Sequence, residues 1–166
     1  MPAGRSIIDV LTDRVRTDGS RPLLTYHHPA KGERVEFSAR SFANWVDKTA
    51  NLIDTLGVEG RIVGPVSMLH PGHWMSLIWP LAVWQRGLTY EALWPPAGDP
   101  RPPLPAEAEL AVVGPEDPQP LIPGGTIACS LHPLGLGLRD LPAGVLDYSS
   151  EALAEPDSHW AVPVAP

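Results

Sequence analysis

The sequence predicts a Rossmann-like α/β fold: a mostly parallel sheet flanked by helices, with an N-terminal β-hairpin and a Pro-rich, loop-heavy C-terminal third. Three observations carry this. Strand-length apolar runs alternate with segments of helical period, the pattern of right-handed crossovers in α/β domains. Two β-rich runs near the N-terminus flank one short turn. Of the 21 prolines, 15 lie after residue 94, and proline disfavours helix interiors and central strands. The 166 residues make one domain's worth of chain. Within it, residues 1–94 are well patterned with a net charge of +1, and residues 95–166 are Pro-rich and acidic with a net charge of −8.

The elements follow in order. Ser6-Ile-Ile-Asp9 resembles a capping box with Asp in the Glu place, and Ile7, Ile8, Leu11 and Val15 continue at helical spacing. Asp18-Gly19 stops that helix. Leu23–His28 and Arg34–Phe37 read as strands around the turn Pro29-Ala-Lys-Gly32. Ser38 is an N-cap candidate for a long helix. Its buried face is Phe42, Trp45, Val46, Thr49, Leu52, Ile53 and Leu56, with Gly57 as the C-terminal stop. Arg61–Leu69 is a short apolar strand, weakened by Gly64 and Pro65, and His70-Pro-Gly72 turns the chain. His73–Arg86 is an apolar helix that Pro80 should kink or split. Its core, Trp74 to Trp84, is 11 residues long, against about 20 for a membrane span. Leu88–Trp94, Leu110–Val113 and Thr126–Leu131 are further strands, and Asp147–Ala154 is a final short helix.

Composition bounds the function. A net charge of −7 argues against a nucleic-acid or anionic-membrane partner, since a basic patch supplies most of such affinity. Cys129 is the single cysteine, which excludes an internal disulfide framework and a cysteine-based zinc site. No Arg/Lys-led apolar run opens the chain, so the expectation is a cytoplasmic protein without a secretory signal.

Several constellations are weighed for chemistry. His70 and His73 sit near a strand–helix junction, as a metal pair, an anion site or a plain turn. His27-His28 end a strand and read as a solvated edge. Cys129 with His132 is a nucleophile–base spacing, but a buried free cysteine accounts for it as well. Gly124-Gly125 could cradle a phosphate, though no helix pattern or lysine follows, and a turn suffices. The acidic second half reads as a solubilising surface. Trp74, Trp79, Trp84 and Trp94, with Trp45 and Trp160, make tryptophan frequent. Core packing explains such residues; exposure of some would mark a partner site, because aromatics are enriched at interfaces. Trp74, Trp79, Trp84 and Trp94 are the interface candidates, in the second apolar helix and the Pro-rich segment 94–105.

A family comes into view between Leu23 and Leu88. The runs Leu23-Leu-Thr-Tyr26, Ser41-Phe-Ala-Asn-Trp-Val-Asp-Lys-Thr-Ala-Asn-Leu-Ile-Asp-Thr-Leu-Gly-Val58 and His70–Leu88 resemble the N-terminal part of adenylate-forming enzymes, the superfamily of acyl-CoA synthetases, luciferases and peptide-synthetase adenylation domains. Ala50-Asn51 falls on that family's "AN", Leu56-Gly57-Val58 on its "LGV", and Pro71 with Trp84–Gly87 on its second helix. The tail from Leu134 to Ala152 is similar to a small actinobacterial family of stand-alone N-terminal halves. Two lysines against ten arginines suit a GC-rich genome. The resemblance covers about a third of an intact adenylating enzyme.

The resemblance also implies what adenylation requires: a Ser/Thr/Gly-rich loop ending in Lys for the ATP phosphates, an aromatic-x-x-Thr-Glu motif, a ribose-binding Asp and a C-terminal Lys. This sequence has no Lys after Lys48 and no Thr-Glu dipeptide. The segment Ile122–Ser130 has neither the spacing nor the lysine. The expectation is therefore a non-catalytic remnant of the N-terminal subdomain, with no cofactor and no metal, acting as a binding or interaction module. It would work as a homodimer or with a protein partner through an exposed apolar patch. The alternative is the acyl- or nucleotide-binding half of a split acyl-CoA synthetase completed by another chain.

Overall fold

The computed structural model describes residues 5–64, 72–92, 103–116 and 118–160. Helix α1 (Ile7–Asp18) starts at Ser6. The Asp9 N–H donates to Ser6 Oγ (3.1 Å) and the Ser6 N–H to Asp9 Oδ2 (2.9 Å), which is the reciprocal cap read from sequence. The Ser6 hydrogen bonds hold the Asp9 carboxyl below the ordinary range. Strands β1 (Pro22–His28) and β2 (Glu33–Ser38) pair antiparallel. One 3-10 turn, Pro29–Lys31, and Gly32 at φ 66° connect them. Ser38 ends β2 and caps α2 (Ala39–Thr55), its Oγ accepting from the Ser41 N–H. Gly57, at φ 68°, closes α2 in the left-handed conformation expected of a C-terminal stop.

Strands β3 (Arg61–Val63), β4 (Thr89–Glu91), β5 (Ala108–Val113), β6 (Thr126–Ala128) and β7 (Val145–Asp147) form one sheet in the order β4-β3-β5-β6-β7. Every pairing in it is parallel. The α/β class read from sequence is therefore the observed one. Helix α3 (Met75–Gln85) links β3 to β4, and α4 (Tyr148–Ala154) follows β7 with Asp147 as its N-cap. Four details differ from the sequence reading, one being β6, which stops at Ala128 short of the expected Leu131. Strand β4 is shorter than Leu88–Trp94, and residues 93–94 lie outside the described residues, as does most of the expected 61–69 strand beyond Gly64. Strand β7 was not expected: Val145-Leu-Asp147 follows Pro142-Ala-Gly144 and lies in no apolar run of strand length. Pro80 sits inside an unbroken α3. The residues on either side, Ile78, Trp79, Ala82 and Val83, are fully buried, and this packing outweighs the hydrogen bond that the proline cannot donate.

The described helices cover one face of the sheet. Ile62, Leu110, Val112, Ile127 and Cys129 point there and pack with Val46, Ile53, Ile78, Trp79 and Tyr148. The alternate residues, Val63, Ala111, Val113, Ala128 and Val145, point to the other face. That face is covered by irregular chain, through Leu104, Leu121, Ile122, Leu138 and Leu141. Most of these plugs are framed by proline: Pro103 and Pro105 around Leu104, Pro120 and Pro123 around Leu121-Ile122, Pro142 after Leu141. Proline limits the conformations of the unfolded chain and so lowers the entropy lost when such segments are fixed. With both faces buried, the strands read as continuous apolar runs and not as alternating ones.

One buried polar pair ties α2 to α4. Thr49 Oγ1 donates to the Trp45 carbonyl (2.7 Å), so the Tyr148 hydroxyl donates to Thr49 Oγ1 (2.7 Å). Both side chains are fully enclosed, and burial pushes the Tyr148 phenol far above its ordinary pKa. The two ends of this bond are not equivalent. Thr49→Val leaves the Tyr148 hydroxyl buried without an acceptor and should cost about 1–3 kcal/mol. Tyr148→Phe leaves Thr49 its carbonyl and should cost about 1 kcal/mol. Urea denaturation of the two variants checks the order, and a larger loss for Tyr148→Phe would contradict it.

Candidate functional site

In open α/β sheets, ligands bind outside the carboxyl ends of the strands, where the strand order reverses. Here β3 has β4 on one side and β5 on the other, so the reversal lies beside β3. A crevice of about 360 Å³ opens at that end. Among the described residues four pieces of chain line it: the hairpin end with Tyr26, His27, His28 and Lys31; Gly72 and His73 ahead of α3; Pro115 and Glu116 after β5; and Ser130 and Leu131 after β6. Two separate sequence features, His27-His28 and His73, thus meet at one place. His70 lies outside the described residues.

The walls are built from the local sequence. His73 accepts the Met75 N–H on Nδ1 (3.2 Å), which assigns its ring proton to Nε2. Its ring meets Tyr26 edge-on at 4.7 Å between centroids. Burial and the nearby Glu33 carboxylate raise the Tyr26 phenol above its ordinary pKa, so it stays a donor at neutral pH. His28 Nδ1 is buried and makes no hydrogen bond among the described residues, an arrangement that costs about 1–3 kcal/mol unless a partner is supplied. Leu131 holds a left-handed backbone, φ 54°, which a side chain with a Cβ adopts only when its surroundings impose it. The loop after it does so. His132 N–H donates to Ser130 Oγ (3.1 Å), Leu134 N–H to His132 Nδ1 (3.1 Å), and the indole N–H of buried Trp74 to the Pro133 carbonyl (3.0 Å). No group of three His, Cys, Asp or Glu is placed to hold a metal ion among the described residues.

The remaining candidates resolve as follows. The Cys129 thiol is enclosed and accepts the Trp79 indole N–H (3.3 Å), while the His132 ring is engaged by Leu134. They show no nucleophile–base contact, and burial pushes the thiol up to about 12. Gly124-Gly125 is a turn, with Gly124 at φ 70° and the Gly125 N–H on the Ile122 carbonyl (3.0 Å). Trp74 and Trp79 correct the interface expectation, being 1% and 0% exposed in the core. Five-residue spacing sends them and Trp84 to different sides of α3. Trp84 is 45% exposed and shares a face with Leu77, two turns away and 42% exposed. Trp94 lies outside the described residues. No helix of the described chain is long and apolar enough to cross a membrane.

Sequence reasoning missed what α2 does to the chain after α4. Lys48 Nζ reaches the carbonyls of Leu153 (3.5 Å) and Glu155 and pairs with Asp157 (2.7 Å). Asn51 Nδ2, of the Ala50-Asn51 pair, donates to the Pro156 and Ser158 carbonyls, both at 3.0 Å. His159 meets Asp54 through Nε2 (3.0 Å) and Gln85 through Nδ1 (3.3 Å). Gln85 in turn donates to Asp47 (2.7 Å), whose carboxyl burial raises above its ordinary range. The spacing of 47, 48, 51 and 54 is the only trace of this strap in the sequence.

Comparisons with known proteins follow this geometry. No family profile matches the chain. A Mycobacterium tuberculosis protein, which carries a family designation and no named activity, is 32% identical over 144 residues. That alignment covers 85% of this chain and 56% of the relative, so the chain spans little more than half that relative's length. Among solved structures, the anthranilate CoA ligase AuaEII in complex with anthranoyl-AMP superposes with a TM-score of 0.65 at 14% identity. It covers 98% of this chain and 30% of the ligase. The acyl-CoA synthetase of Brucella canis gives 0.57 at 15% identity, over 88% of this chain and 27% of the enzyme. The chain thus has the fold of about three-tenths of such a ligase.

The Cys129 environment yields a chemical prediction. The thiolate is the reactive species, so native protein should resist iodoacetamide at pH 8, and labelling should rise with urea together with the loss of structure. Mass spectrometry of alkylated protein checks this; rapid labelling of folded protein would contradict it.

Proposed function

We propose that this chain is a binding or interaction module built on the fold of the N-terminal subdomain of adenylate-forming enzymes, and that these 166 residues do not form an acyl-adenylate on their own. One observation carries the reading. The chain overlays 30% of an anthranilate CoA ligase across 98% of its own length, and its two lysines are placed away from any phosphate loop: Lys48 in the strap and Lys31 on the hairpin turn. The half-exposed face of α3 with Leu77 and Trp84 supports a partner site for a second copy or another protein. The crevice supports the other reading, in which the chain is the acyl- or nucleotide-binding half of an enzyme completed by another chain.

ATP–pyrophosphate exchange with a panel of carboxylic acids tests the proposal. The expected result is no exchange above a heat-killed control, and turnover would overturn it. A thermal-shift series with ATP·Mg, AMP, CoA and acyl-CoA separates the two readings. Ligand at 100 times its dissociation constant adds about 2.7 kcal/mol, or roughly 5–10 °C for a domain of this size. No preference for ATP·Mg over AMP, or for acyl-CoA over CoA, is expected of the module, and a larger shift with ATP·Mg or acyl-CoA favours the enzyme half.

A further inference from the structure

The crevice has a composition that selects among ligand classes. Among its described lining, Lys31 is the full positive charge and Glu116 the negative one, and three imidazoles, His27, His28 and His73, stand with them. Among the described residues no three His, Cys, Asp or Glu groups are placed to hold a metal ion. A planar carboxylate is best recognised by the paired N–H groups of arginine, and the described lining holds no arginine. Separate point donors, an ammonium and ring N–H groups, suit the three-sided oxygen surface of a phosphate. Lys31 is exposed on the hairpin turn and free to swing. His28 lines the crevice and, with Nδ1 closed off from solvent, can donate to a ligand there through Nε2–H. At about 360 Å³ the crevice is far larger than an inorganic phosphate and falls in the size range of small-molecule sites. Pro29, Pro115 and Leu131 supply apolar wall for the rest of a ligand.

We propose that the crevice at the carboxyl ends of β3, β5 and β6 binds a phosphate monoester, its phosphate held by Lys31 and His28 with His27 at the rim. The proposal rests on reading the chain as a binding module and names what one of its sites takes.

Amide and imidazole NMR titrations of the full chain with phenyl phosphate, inorganic phosphate and acetate test it. Saturable shifts are expected at residues 26–31 and 130–131, with phenyl phosphate binding tighter than inorganic phosphate and acetate weakest. Lys31→Met and His28→Gln should each weaken phenyl phosphate binding about tenfold or more, the usual effect of losing a charged hydrogen bond. Lys31 is exposed, so its variant keeps the test sound if His28→Gln disturbs the hairpin. Absence of saturable shifts, acetate binding as tightly as phosphate, or affinity unchanged in Lys31→Met would overturn the proposal. Inorganic phosphate binding as tightly as phenyl phosphate would overturn the assignment to an ester. None of these outcomes bears on pyrophosphate exchange, which tests the module reading by itself.

Discussion

The indole of Trp74 is the point on which the rest of the structure turns. It is 1% exposed at the start of α3 and packs against Phe37 at 4.8 Å, Trp45 at 5.1 Å and His73 at 5.5 Å between ring centroids. Its N–H takes the Pro133 carbonyl. One side chain thereby joins the hairpin, α2, α3 and the loop after β6. From it the aromatic contacts run one way through Trp45 and Tyr148 to Trp79, and the other way through His73 to Tyr26 at the crevice. Gly135 belongs to the same construction. It holds φ 70°, and a Cβ there would stand 2.9 Å from the Trp45 ring, so the loop can approach the indoles only where a side chain is missing.

That dependence explains what was legible in the sequence. α1 and α2 were readable because their signals are local: Ser6 and Ser38 cap them, and the apolar spacing of α2 from Phe42 to Leu56 marks a single buried face. The hairpin was readable from its turn. Helix α3 gave no usable periodicity, because it is apolar on nearly all sides, and so the sequence could not say which tryptophans it buries. Trp74 and Trp79 went to the core and Trp84 to the surface. The crevice was legible only as fragments. His27-His28 and His73 each looked unremarkable, since their common site is made by docking the hairpin against the sheet end and by nothing in their sequence spacing. Lys31, in the turn between two strands, carried no signal at all.

The Pro-rich third takes its meaning from the sheet face that no described helix covers. A second layer of helices would cover β5, β6 and β7 on the side of Ala111, Val113, Ala128 and Val145. Short leucine plugs between prolines do so instead. Helices bury a face at the expense of ordering many residues per contact. Extended segments held by proline touch the sheet at fewer points and need less ordering. The acidic residues of this half then remain outside, as Glu107, Glu109 and Glu116 illustrate. Glu109 closes the Glu59 and Gly60 N–H groups ahead of β3 at 2.8 and 3.0 Å, and Glu107 pairs with Arg61 at 3.2 Å.

The strap along α2 reads the chain it holds in an unusual way. Lys48 and Asn51 grip carbonyl oxygens, at Leu153, Glu155, Pro156 and Ser158, and thus a path through space instead of a set of side chains. A grip on the backbone is indifferent to which residues pass through it. Apart from Asp157, whose carboxylate pairs with Lys48, the stretch from 155 to 158 is therefore free to drift in composition so long as it keeps its path, while Lys48 and Asn51 are not. The path of the chain just past α4 is written in α2, 105–107 positions away in sequence from the segment it steers.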